Sequence, residues 1–221
     1  VLSVGAGENN HTSLSYVWGT SSSSGAVYSS PISTDYIANN SEGMAAFSSR
    51  GPADDGRLKP DITAPGTFIL STKSRSTTDT GWLAYSTNSN YTYMGGTSMS
   101  CPLTAGAAAL IIQHLIDNEG HSDPNSSLVK AIFTASAHDM TGQYGSSTNG
   151  AGETAPNNHE GWGMVDLRSA MNSTWIDGDS VSTSDERGWS FSVPASSPDL
   201  QVALSWTDPA STPSASTNLV N

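Results

Sequence analysis

"YTYMGGTSMSCPLTAGAAALII", residues 91–112, passes from an alternating segment through two glycines and two hydroxyls into an uncharged apolar stretch. Thr92-Tyr93-Met94 has the period of a strand, and Gly95-Gly96 stops it. Pro102 to about Asn118 reads as a helix, apolar nearly all round at its start and therefore expected to be buried. Gly106 inside it costs about 1 kcal/mol against alanine, which is tolerable where a neighbour packs close. On local grounds Ser98 has two readings. It caps the helix, which is the commoner case, or it is a nucleophile beside the unsatisfied N–H groups of a first helical turn, which can hold an oxyanion. Gly95 and Gly96 let a substrate backbone approach closely.

The rest of the chain bounds these readings. Its 221 residues suffice for one large domain, or one domain and part of a second. Twenty acidic against eight basic side chains give a formal charge of −12. That argues against a nucleic-acid partner, which needs a basic face, and against anionic membrane surfaces. It fits a secreted protein. Cys101 is the single cysteine, so no internal disulfide forms. Asn-x-Ser/Thr acceptors stand at Asn10, Asn39, Asn90, Asn125 and Asn172; in a chain this rich in Ser, Thr and Asn, several arise by chance. The longest apolar run, Ala107 to Ile112, is interrupted by Gln113 and His114, short of a membrane span. The opening Val1-Leu2-Ser3-Val4, with neither methionine nor signal peptide, reads as the inside of a longer protein.

Val1 to Gly5 reads as a short buried strand. Ser21 to Gly25 is a polar surface loop, and "AAFSSRGP" (45–52) a strand edge running into a turn. "KPDITAPGTFILST" (59–72) gives a Pro-Gly turn and then a strand from Phe68 to Ser71; residues 72–82 read as a polar loop. Ser126 to Ala137 is a second helix, amphipathic through Leu128, Val129, Ile132 and Phe133. "GWGMVDLRSAMN" (161–172) gives a glycine-rich turn, a short strand and a helix capped by Asp166. Strands alternating with helices predict an α/β layer structure. After Asp177 the pattern changes: Trp189, Phe191 and Val193, then Leu200, Val202, Leu204 and Trp206, alternate with polar residues as in antiparallel β. Two units are therefore expected, 1–176 and 177–221.

Gly96-Thr97-Ser98-Met99-Ser100-Cys101-Pro102, followed by Ala105-Gly106, resembles the nucleophile motif of subtilisin-like serine proteases (subtilases, peptidase S8). "VLSVGA" (1–6), "FSSRGP" (47–52), "KPDITAPG" (59–66) and "GWGMVDL" (161–167) recur in that family in this order. The chain is similar to the branch whose catalytic domain precedes a β-sandwich, or jelly-roll, which "LSWTDPASTPSASTNLVN" (204–221) resembles at its start. The resemblance implies a subtilisin-like parallel sheet with flanking helices, and then an incomplete antiparallel sandwich. It implies Ser98 as nucleophile, its own N–H as half of the oxyanion hole, Gly96 and Thr97 in the active-site loop, and Met99 packed behind the serine. Protein or peptide substrates, secretion and a monomer follow from it. Structural calcium is compatible with the full-length protein, but no dense oxygen-ligand motif is present; no cofactor and no metal are expected. Ser100-Cys101 departs from the commoner Ala and Thr or Ser and is similar to plant-type subtilases. Cys101 is expected to be a buried structural thiol.

A nucleophilic serine needs a base and an orienting acid. Asp79-Thr80-Gly81 imitates the family's acid motif, but polar residues 74–78 precede it where that motif follows a hydrophobic strand; a loop residue is expected. None of His11, His114, His121, His138 and His159 stands in a His-Gly-Thr-His setting. Neither Asn9 nor Asn10 is the oxyanion asparagine, which the resemblance places in an Ala-Ala-Gly-Asn turn upstream. The chain therefore reads as the C-terminal portion of an endopeptidase, inactive by itself. The alternative is a non-catalytic binding or scaffold protein on the same fold. An esterase with another triad lacks the Gly-x-Ser-x-Gly elbow.

Overall fold

The computed structural model describes residues 1–20, 28–141, 155–182, 184–195 and 200–207. The polar stretch at 21–25 and residues 208–221 of the terminal segment lie outside them. Strand β1 (Val4–Gly7) pairs in parallel with β2 (Ile62–Pro65), with Val4 opposite Ile62 and Gly7 opposite Pro65. Beyond β2 the layer continues to Met164 through a parallel bridge with Thr63. Ala6, Ile62, Thr63 and Ala64 are all buried. A strand covered on both faces has no alternation to display, which is why β2 does not stand out in the sequence.

Three antiparallel strands form a second sheet: β3 (Ile69–Thr72), β4 (Leu83–Ala84) and β5 (Tyr91–Met94), with β5 in the middle. Leu83–Ala84 lies just past the segment read as a polar loop. The 45–52 segment forms no strand; only its neighbour Met44 bridges Gly7. Phe68 turns the chain into β3 with φ 46°, a strained value for a non-glycine residue.

Helix α1 (Thr97–Asp117) starts before Pro102. A proline inside a helix leaves the carbonyl four residues back without its donor. Here that carbonyl belongs to Ser98, in the first turn, so the helix runs through. Helix α2 (Ser126–Ser136) is capped by the Asn125 side chain, which accepts the Leu128 N–H at 2.8 Å. Helix α3 (Leu167–Met171) has the expected cap: Asp166 accepts from the Arg168 and Ser169 N–H groups. Where the helices meet β2, Ile62, Ile111, Leu115, Ile132, Phe133 and Ala170 build one core. A second, containing Trp18 and Phe68, packs beside the antiparallel strands.

Three expectations are corrected. Helix α1 is not buried all round: Leu103, Leu110 and Ile116 are 44%, 47% and 45% exposed. Cys101 is exposed and does not face the core. By length and composition α1 also suffices to cross a membrane, at a mean hydropathy of 1.5; run length alone did not register this, because Gln113 and His114 are single interruptions.

The C-terminal segment also differs from its expected form. Among the described residues after α3 no strand forms, and Leu200, Val202, Leu204 and Trp206 are exposed. Alternation supplies an apolar face but not a ladder. A strand needs a partner for its backbone groups, and none lies beside this segment among the described residues.

Candidate active site

Two backbone links carry the ends of the parallel strands to the start of α1. The Gly66 N–H donates to the Gly7 carbonyl at 2.8 Å, and the Gly96 N–H donates to the Gly66 carbonyl at 2.7 Å. Ser98, the second residue of α1, thus stands beyond the carboxyl ends of β1 and β2, where α/β sheets bind their ligands. It is exposed. Gly96 has φ 143°, a conformation that favours glycine. The Gly96 carbonyl accepts from the Met99 N–H at 3.0 Å and the Ser100 N–H at 3.4 Å. The N–H of Ser98, in the first turn, has no acceptor within the helix and can meet an anionic oxygen.

The close fit of α1 on the strand ends depends on Gly66. A Cβ there would lie 2.5 Å from Ser100 Oγ and 2.7 Å from Ala6 Cβ. Sequence reasoning saw Pro65-Gly66 only as a turn. Ser100 itself is fully buried, and its Oγ has no partner among the described residues.

Of the other expected site residues, Thr97 is exposed and Met99 half-buried. The Met99 sulfur lies 3.9 Å from where a Gly96 Cβ would be. Histidines do not join them. His121 Nε2 pairs with Asp177 at 2.9 Å while its Nδ1 accepts the Asp123 N–H. His138 pairs with Glu42 at 2.9 Å, His114 lies 3.6 Å from Glu119, and His11 packs edge-on against Tyr93. The His159 N–H bonds to Asn157 Oδ1. Asp79 accepts the Gly81 N–H at 2.9 Å and acts as a turn residue. The Asn9 N–H donates to Thr67 Oγ1 at 2.9 Å, and Asn9 Oδ1 accepts the Asn10 N–H at 2.9 Å. No side chain among the described residues is hydrogen-bonded to Ser98.

The perturbed carboxyls hold the scaffold. Burial raises the pKa of Asp61, but hydrogen bonds from Lys59 (2.7 Å), the Ser3 N–H (2.7 Å) and Lys130 (2.9 Å) outweigh it and hold the group below its ordinary value. Burial pushes Glu160 up, against hydrogen bonds from the Met140 N–H and Asn157 and with help from the Asp139 and Glu42 carboxylates. Among the described residues no group of three or more His, Cys, Asp or Glu is placed to hold a metal. Two acceptor asparagines already use Nδ2 within the fold, Asn125 on Asp177 and Asn172 on the Arg168 carbonyl.

Ser98 is thus an exposed serine at a helix start, beyond the ends of a parallel sheet, and similarity to known proteins gives the family of the chain. Residues 1–163 match the subtilase family, Peptidase S8, and the chain belongs to it. It is 30% identical over 236 residues to the serine protease/ABC transporter B family protein tagB of Dictyostelium discoideum, covering 82% of this chain and 12% of that protein. Over 71 residues it is 49% identical to the serine protease AprX of Bacillus subtilis (strain 168), covering 32% of this chain and 16% of AprX. Against the solved CspB protease of Clostridium perfringens it is 30% identical with a TM-score of 0.41, over 58% of this chain and 23% of that one. The chain therefore spans 12% and 16% of the two curated relatives.

Proposed function

We propose that residues 1–176 are the C-terminal portion of the catalytic domain of a secreted serine endopeptidase, with Ser98 as its nucleophile. The observation that carries this is the placement of Ser98: exposed, second in α1, beyond the strand ends, and preceded by Gly96 in a glycine conformation. In the reaction, Ser98 Oγ attacks the scissile carbonyl carbon as its proton passes to a base. The tetrahedral oxyanion is held in part by the Ser98 N–H. The C–N bond breaks, the amine leaves with the proton, and water hydrolyses the Ser98 ester.

The base, its orienting acid and the oxyanion asparagine come from the upstream part of the parent protein, and this chain alone carries only the nucleophile. Support comes from the absence of any side chain bonded to Ser98 among the described residues. The half-open face of α1 adds to it. In the parent protein residues 177–221 begin a β-sandwich domain, their alternating segments pairing with strands from outside this chain. Protein substrates, a monomer and no required cofactor complete the reading.

The test is made in the full-length protein. Ser98→Ala should abolish peptidase activity and fluorophosphonate labelling, a loss of about 10⁶ in kcat, the size known for the corresponding change in subtilisin itself. Cys101→Ala should leave substantial activity. The 221-residue chain should turn over no peptide. Peptide turnover by the Ser98→Ala protein would show the nucleophile misassigned. A wild-type full-length protein that neither labels nor cleaves would replace this reading with the scaffold protein.

A further inference from the structure

We propose that Trp82 is a positioning residue for the nucleophile-bearing turn, acting on Ser98 through Gly95; this rests on the reading of Ser98 as the nucleophile. Its starting point is the Asp79-Thr80-Gly81 segment, which imitates a catalytic motif and has no catalytic place. The segment is fastened on several sides. The Asp79 N–H donates to Thr77 Oγ1 at 3.1 Å, and the Gly81 N–H to Asp79 Oδ1 at 2.9 Å. The Thr92 hydroxyl, on β5, is shared between the Thr80 and Leu83 carbonyls. The Trp82 N–H donates to the Tyr93 carbonyl at 2.9 Å. Gly81 has φ 61°, which lets the chain reverse there.

This fastening delivers the Trp82 indole onto Gly95. A Cβ built on Gly95 would lie 2.1, 2.3 and 2.4 Å from the ring atoms Cη2, Cζ3 and Cζ2, so ring and glycine backbone are in direct contact. Two aromatic rings back the indole. Phe68 packs edge-on at 5.3 Å and 77°, and Phe47 at 6.1 Å and 82°.

Gly95-Gly96 is the pair immediately before α1, and glycine keeps more backbone freedom than any other residue. That freedom has to be removed from outside if Ser98 is to hold one geometry. The indole restrains Gly95, and the Gly66 carbonyl restrains Gly96. Misplacement of a reacting group by about 1 Å costs on the order of 10²-fold in rate.

The experiment uses the full-length protein, reading the rate of fluorophosphonate labelling, kcat and KM for a peptide substrate, and thermal melting. Trp82→Ala should slow labelling and kcat by about 10²-fold with KM little changed, and Trp82→Phe should recover most of the rate. Gly95→Ala alone should be at least as damaging, because its methyl enters the ring. Gly95→Ala added to Trp82→Ala should cost little more. If Trp82→Ala does not fold, Trp82→Leu serves, with the same expected split between kcat and KM. Labelling of Trp82→Ala, or of Trp82→Leu in its place, at the wild-type rate would overturn the inference, as would losses from the two sites that simply multiply. Turnover persisting in Ser98→Ala would overturn the reading of Ser98 and this inference with it.

Discussion

Helices α1 and α2 are both rich in apolar residues, and they use them in opposite ways. Helix α2 collects Leu128, Val129, Ile132 and Phe133 on one stripe and buries all of them. Helix α1 is apolar on every side, yet its buried residues are Ser100, Thr104, Ile111 and Leu115, while Leu103, Leu110 and Ile116 remain open. An amphipathic stripe announces which side meets the core. A helix without a polar side announces only that something should surround it. Around α1 the described residues supply β1, β2, α2 and α3, which close part of its circumference. The division of labour follows: α2 holds the domain together, and α1 carries the candidate chemistry at one end and an uncovered face along its length.

After Ser98→Ala, the largest expected effect falls on α2. Phe133→Ala should destabilise the chain by about 3–5 kcal/mol, read by denaturant unfolding, because Phe133 is fully buried and leaves a cavity. A cost below about 1 kcal/mol would break the contrast. Next comes Asp61→Asn, which unties Lys130 of α2 from the residue just before β2. About 2 kcal/mol should be lost, discounted from a fully buried ion pair because both lysines reach solvent. The folded Asp61 carboxyl titrates below the free one. Its contribution is therefore complete above about pH 4 and is lost as pH falls through the folded value. Thermal melts at decreasing pH should show a shallower acid-side decline for Asp61→Asn than for wild type; equal slopes would assign no acid stability to this group. The smallest effect belongs to α1. Leu110→Ala in the 221-residue chain should stay within about 0.5 kcal/mol. In the full-length protein it should cost distinctly more, on the proposal that the upstream part covers this face. Equal costs in both would refute that view.

Much of the site was legible in the sequence because its residue types are demanding. Gly96 takes a conformation that favours glycine just before a helix start, and Asp166 and the α2 stripe were equally plain. Other features depend on partners distant in the chain. The resemblance to plant-type subtilases implies a buried Cys101, but which side of α1 is covered depends on where β1 and β2 lie. Pro102 looked like the helix start because proline favours first turns. The contact of Trp82 with Gly95 depends on the register of β4 against β5, which pairs Leu83 with Tyr93. The alternation after Asp177 was legible as a pattern, but a pattern cannot show whether a neighbouring strand is present.

The relay from Gly7 through Gly66 to Gly96 also governs exchange with solvent. Amides in a glycine turn ordinarily exchange through small local openings. Here the Gly96 amide is released only if its acceptor moves, and that acceptor is itself bonded to the end of β1. Its deuterium uptake should follow cooperative loss of the parallel pair rather than fluctuation of the turn. The setting of Ser98 is thus complete only when a pairing between segments far apart in the chain has closed, and it is lost in the same step.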